Sequence, residues 1–156
     1  MDDRGDLAER GQSPGMTSFD TTKQIHTQAD LHALWSGLMQ PLGFSKQSIW
    51  MLRIGPDRCP TSQILEIAEA DEVPPRAAGH GFPEVLRLLA EDEPRHSYAF
   101  LRSRPGRGVT RDDRAWAAFL HEAGRIAGVA VEVVHLATDD ELVPLPLDAI
   151  GIGSTP

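Results

Sequence analysis

Leu31, Leu34, Trp35, Leu38 and Met39 recur at the spacing of one helical face, and Pro41-Leu42-Gly43 stops the pattern. Thr27, with Asp30 three residues on, supplies a capping pair for its start. The next apolar run, Ser48–Ile54 (SIWMLRI), is almost continuous, as in a strand covered on both faces. Gly55-Pro56-Asp57 then turns the chain, and Ile64–Ala70 reads as a second strand. Residues 71–81 form a loop rich in Pro and Gly. Phe82, Val85, Leu86 and Leu89 return to helical spacing, with Pro83 suited to the first turn.

Ser97–Ser103 predicts a third strand. Thr110–Ala127 predicts the longest helix: Trp116, Phe119, Leu120, Ala123, Ile126 and Ala127 line one face, and Gly128 ends it. Val129–Ala137 is β-branched and reads as one strand, with His135 in phase with Val129, Val131 and Val133. Glu141–Leu145 adds a short final strand. The order α-β-β-α-β-α-β, with that last β, predicts an α/β domain: a mixed sheet flanked by helices in a three-layer-like arrangement. The two adjacent strands at 48–70 supply a hairpin, which makes the sheet mixed rather than parallel.

The chain has 156 residues, enough for one domain with a sizeable core. Residues 25–146 carry the periodic pattern. Residues 1–24, rich in Asp, Gly, Ser and Thr, are expected to be a flexible tail, and 147–156 a loosely held one. Thirteen of the 15 basic residues are Arg, which fits a GC-rich coding sequence of the bacterial kind. One cysteine, Cys59, forms no internal disulfide and points to a reducing, cytoplasmic setting. No apolar run reaches the roughly 18 residues of a membrane span. The acidic start lacks the apolar core of a signal peptide.

The net charge of −8 argues against wholesale binding to nucleic acid or anionic membrane. One stretch opposes that balance. Residues 102–114 hold five Arg against two Asp, a local +3 that leaves −11 for the rest. Within it, FLRSRPGRGVTRDD joins the third strand to the longest helix. Thr110 and Asp113 form a capping-box pair, and Gly106 and Gly108 let the backbone turn before the cap.

On these residues the chain resembles the JAB/MPN metalloprotease-like superfamily, its RadC-like branch in particular. In that family a strand runs into a His-x-His-Pro-x-Gly turn. A Ser or Thr cap follows, then an Asp at the third helical position, a long helix and a Gly-led strand. Here the corresponding run is Arg102-Ser103-Arg104-Pro105-Gly106, then Thr110-x-x-Asp113, the helix, and GVAVEVVHLA from Gly128. The likeness covers roughly residues 45–145 and implies a JAB/MPN-like fold. It also implies that Arg102, Arg104 and Asp113 occupy former metal-site positions.

The departure is chemical. Arg102 and Arg104 stand where the family has its two metal-binding histidines. A guanidinium has no lone pair to give and repels Zn²⁺. A catalytic zinc needs three protein ligands and an open position. The expectation is therefore a non-catalytic binding or assembly module that has lost its metal site, with no cofactor and with a protein partner or an anionic ligand.

Two alternatives stay open. Arg102, Arg104, Arg107 and Arg111, beside a helix N-terminus, make a candidate anion-binding loop for phosphate, carboxylate or a nucleic-acid backbone. A metal-dependent hydrolase with relocated ligands would use His135, Asp113 and Glu66, with Glu69 a second choice for the acid. Other motifs fail. His121-Glu122 begins an H-E-x-x-H pattern, but Arg125 replaces the second ligand, and His121 reads as a solvated surface residue. Cys59 has no sequence partner for nucleophilic catalysis. Gly106-x-Gly108 is neither a P-loop nor a dinucleotide fingerprint.

Overall fold

A computed structural model of the chain describes residues 21–68 and 72–146. The helices are α1 (Gln28–Met39), α2 (Gly81–Asp92) and α3 (Arg111–Ala127). The strands are β1 (Ser48–Ile54), β2 (Pro60–Ala68), β3 (Ser97–Ser103), β4 (Ala130–Val131), β5 (Val134–Ala137) and β6 (Leu142–Leu145). All six strands form one mixed sheet in the order β2-β1-β3-β5-β6, with β4 paired to β3. β1 is antiparallel to both β2 and β3, β4 and β5 run parallel to β3, and β6 returns antiparallel to β5.

Strand alternation sends side chains to two apolar clusters, one on each face. Ile49, Met51, Tyr98, Phe100, Val134 and Leu136 face α2 and α3, where they meet Leu86, Trp116, Phe119 and Leu120. Leu52, Ile54, Ala99, Leu101 and Ala137 face α1, packing on Leu31, Trp35 and Leu38. The result is helix, sheet and helix pair in three layers. β3 is buried along its whole length, which is why its sequence reads as a continuous apolar run until Arg102.

Three features depart from the sequence pattern. β2 starts at Pro60, four residues before its apolar part. Its first residues pair only with β1, at the edge of the sheet, and after the buried Pro60 they are polar, with no apolar run to mark them. The predicted strand at 129–137 is broken in two. Ser97 pairs with Ala130 and Tyr98 with Val131, yet Leu101 pairs with His135, so one extra residue enters between the pairings. The Glu132 N–H still donates to the Tyr98 carbonyl at 2.8 Å. This bulge reverses the phase. Val131 packs on the α2–α3 side, while His135 faces α1, its ring 5.7 Å from that of His32.

The third departure is His121, which is half-buried rather than solvated, and burial pushes its pKa down. The predicted N-terminal tail divides: residues 1–20 lie outside the described residues, while Gln24 Nε2 donates to the Asp57 carbonyl at 2.9 Å beside the β1–β2 turn. The predicted C-terminal tail, 147–156, also lies outside the described residues.

Candidate functional site

β3 delivers Arg102 to its α3 face, and Arg104 follows two residues later on the same side. Arg104 is still tied to the sheet, its N–H donating to the Ala137 carbonyl of β5 at 3.1 Å. The chain then turns through Gly106 (φ 98°) and Gly108 (φ 73°), left-handed conformations that suit glycine. A reciprocal contact pins this turn: Gly106 N–H donates to Asp139 Oδ2 at 2.9 Å, and Asp139 N–H donates to the Gly106 carbonyl at 3.0 Å. Thr110 then caps α3. Its hydroxyl accepts from Asp113 N–H at 3.2 Å, and Asp113 Oδ2 accepts from Thr110 N–H at 2.7 Å, completing the predicted capping box.

Asp113 does more than cap. Its Oδ1 accepts from Arg102 Nε at 2.8 Å and from Arg104 Nε at 2.7 Å, and its Oδ2 accepts from Arg104 Nη2 at 2.6 Å. With the Thr110 N–H, four donors converge on two oxygens. A carboxylate offers about four acceptor positions, so its capacity is filled. Asp113 is fully buried, Arg102 is 2 % exposed and Arg104 7 %.

Further guanidinium donors also have partners. Arg102 Nη2 reaches Gln47 Oε1 at 2.6 Å, Arg104 Nη1 reaches the Pro105 carbonyl at 2.9 Å, and Arg104 Nη2 also reaches the Gly108 carbonyl. The Arg102 guanidinium carbon lies 6.0 Å from the Trp116 ring centroid, at the outer limit of a cation–π contact.

Electrostatics follow the geometry. Burial works to raise the Asp113 pKa, but hydrogen bonds from Arg104, the Thr110 backbone and Arg102 outweigh it and bring the value down to about 2. The same carboxylate raises the Arg104 pKa through its hydrogen bond. Asp113 and Arg104 are therefore held in their charged forms at neutral pH, and a guanidinium is a cation there in any case. Two cations and one anion leave the cluster with a charge of +1 beside the N-terminus of α3.

The four-arginine loop does not act as one set. Arg102 and Arg104 point inward at Asp113. Arg107 is 81 % exposed, with a loose ion pair to Asp140 at 3.7 Å, and Arg111 is exposed on the first turn of α3. Only Arg107 and Arg111 offer charge to a surface anion.

The relocated ligand set is not assembled. Glu66 sits opposite Trp50 on the α1 face of the sheet, where it accepts from Ser48 Oγ at 2.8 Å and pairs with Lys46 at 3.7 Å. His135 is on that face too, in another strand. Asp113 is on the opposite side, in the first turn of α3. Glu69 lies outside the described residues. Among the described residues, no group of three or more His, Cys, Asp or Glu side chains is placed to hold a metal ion.

Sequence reasoning missed Gln47 and Asp139. Gln47 precedes β1 in no recognisable motif. Asp139 belongs to a turn, TDDE, where acidic residues are ordinary. It also missed the pairing of His32 with His135. His135 is fully buried, its Nδ1 lies 3.1 Å from the Val133 carbonyl, and its Nε2 has no hydrogen-bond partner among the described residues. Burial lowers its pKa to about 4, with a further contribution from His32. His32 Nε2 contacts the Leu142 carbonyl at 2.9 Å.

Comparison of the chain with protein-family models and with curated protein sequences gives no match.

Proposed function

We propose that this chain is a non-catalytic binding or assembly module of JAB/MPN-like architecture, in which an Arg102–Asp113–Arg104 ion cluster stands where a metalloprotease of that class would hold its metal. The observation that carries the reading is the saturation of Asp113: two guanidinium groups and a backbone N–H fill its acceptor positions. A metal ligand must present a free lone pair, and neither arginine has one.

Further support comes from the order of elements and from the joint itself, where Pro105, Gly106, Thr110 and Asp113 match the resemblance, although the loop is shorter and the two histidine positions are arginines. A binding or assembly role also fits edge strand β2, where Leu65 (52 % exposed) and Ile67 (44 %) lie open on the surface. No helix among the described residues is long and apolar enough to cross a membrane. A single cysteine, Cys59, fits a reducing, cytoplasmic setting. Elemental analysis of protein purified without a histidine tag tests the reading. Zinc well below one equivalent per chain is expected, and one tightly bound equivalent overturns it.

A further inference from the structure

A cleft lies at the other end of β3 from the arginine–aspartate cluster, about 20 Å away at the rise of an extended strand. Its volume is about 600 Å³, and Gly55, Arg58, Arg95, His96, Ser97 and Gly128 contribute to its walls. This lies within the size range of small-ligand sites.

Two of the wall residues have unusual backbones. Arg58 (φ 67°) and Arg95 (φ 66°) are the non-glycine residues with positive φ among those described, and both line this cleft. Glycine adopts that conformation freely, whereas L side chains rarely do. For Arg58 the side chain explains the choice. It closes the β1–β2 turn, donates from Nε to the Ile25 carbonyl at 2.8 Å and pairs with Glu132 at 3.4 Å.

Arg95 has no such explanation. Its side chain makes no hydrogen bond or ion pair among the described residues, and it is exposed. Two acids near the cleft are already engaged: Glu93 faces Arg53 at 3.5 Å and His96 at 3.3 Å, and Glu132 holds Arg58. Arg95 is thus the surplus cation of the cleft, held in a strained conformation. Beside it are the Ser97 hydroxyl and the His96 ring.

We propose that this cleft binds a small ligand carrying an oxyanion, a phosphate or a carboxylate, with Arg95 as the principal charged contact. A guanidinium recognises either group through paired N–H donors. Ser97 Oγ, which accepts from Arg58 Nη1 at 3.5 Å, keeps its own hydroxyl proton as a further donor. The site is independent of the metal-site reading and stands or falls apart from it.

Titration of the full chain with inorganic phosphate, and separately with acetate, tests the proposal and distinguishes the two oxyanions. Sodium chloride at matched ionic strength is the reference, and Tm and NMR amide shifts are the readouts. Wild type should gain Tm with one of the two anions beyond the chloride control, with shifts at residues 95–97 and 128–130. Arg95→Gly should match or exceed the wild-type Tm without ligand, because it relieves the positive φ, and should weaken anion binding roughly tenfold or more. Arg107→Ala, on the distant loop, should bind as wild type.

Four results overturn the proposal. One is no response beyond chloride. Another is full binding by Arg95→Gly. A third is equal loss in Arg107→Ala. The fourth is a lowered Tm in Arg95→Gly without ligand, which would make Arg95 a structural complement to the helix C-termini that end at the cleft.

Discussion

Asp113 is the residue on which most of the loop depends, and its burial sets the size of the effect. Removing one partner of a buried ion pair leaves the other charge uncompensated, at a cost of about 3–5 kcal/mol. Asp113→Asn leaves two buried guanidiniums without a carboxylate. It is expected to destabilise the chain by that order in urea unfolding. Arg107→Ala, on the same loop but exposed, should change stability by no more than about 0.5 kcal/mol.

Two buried groups, His135 and Asp113, are expected to weaken the fold in different acid windows. His135 has its pKa lowered to about 4 from an ordinary 6.5. A depressed folded-state pKa means the unfolded chain takes up the proton first. Its contribution is thus fully present above pH 6.5 and is lost as the pH falls towards 4, a change of about 3 kcal/mol for such a shift. Asp113 is lowered from 3.8 to about 2. Its contribution, about 2 kcal/mol on the same reckoning, is lost in a lower window, from near 4 down to 2. Unfolding free energies measured from pH 7 to pH 4 should fall for wild type, and His135→Leu should flatten that slope. A slope unchanged by the substitution would show that His135 titrates normally.

At the scale of elements, the joint between β3 and α3 was the most legible part of the sequence. Thr110 and Asp113 were readable as a cap because a short polar side chain and an acid at that spacing satisfy free helix N–H groups. The inward turn of Arg102 and Arg104 was not readable. Strand phase places Arg102 on the Phe100 side, but only the packing of α3 across that face brings Asp113 to it. Thr110→Ala should cost about 1–2 kcal/mol, at the upper end because the same residue orders the arginine partner.

The β4–β5 bulge was hidden for a different reason. Val129–Ala137 is valine-rich, so composition marks a strand but not the extra residue that breaks its register. The same segment packs tightly on α3. A Cβ placed on Gly124 would come within 2.2 Å of a Val131 methyl. Gly124→Ala is therefore expected to destabilise by about 1–3 kcal/mol despite the better helix propensity of alanine. A neutral or stabilising result in thermal unfolding would mean that β4 yields easily.

For the whole molecule, the order of elements and the three layers could be read from alternating periodicities, because helices and strands must bury their apolar faces against each other. Which titratable groups meet could not. Glu66, His135 and Asp113 were chemically plausible together, but the pleat places the first two on the α1 side and α3 carries the third on the other. Charge shows the same limit. The four arginines of the loop form one basic patch in sequence, yet two face a buried carboxylate and two face water.

If the Arg102–Asp113–Arg104 cluster stands at a former metal position, as proposed, two histidines in place of the arginines would complete a ligand set with Asp113. The most direct measurement is the zinc content, by mass spectrometry, of tag-free wild type and of the double variant Arg102→His with Arg104→His. Two imidazoles and a carboxylate make a three-ligand set of the kind zinc accepts. The account predicts no stoichiometric zinc in wild type and about one equivalent per chain in the folded variant. A stoichiometric zinc in wild type, or a folded double variant that takes up none, would contradict it.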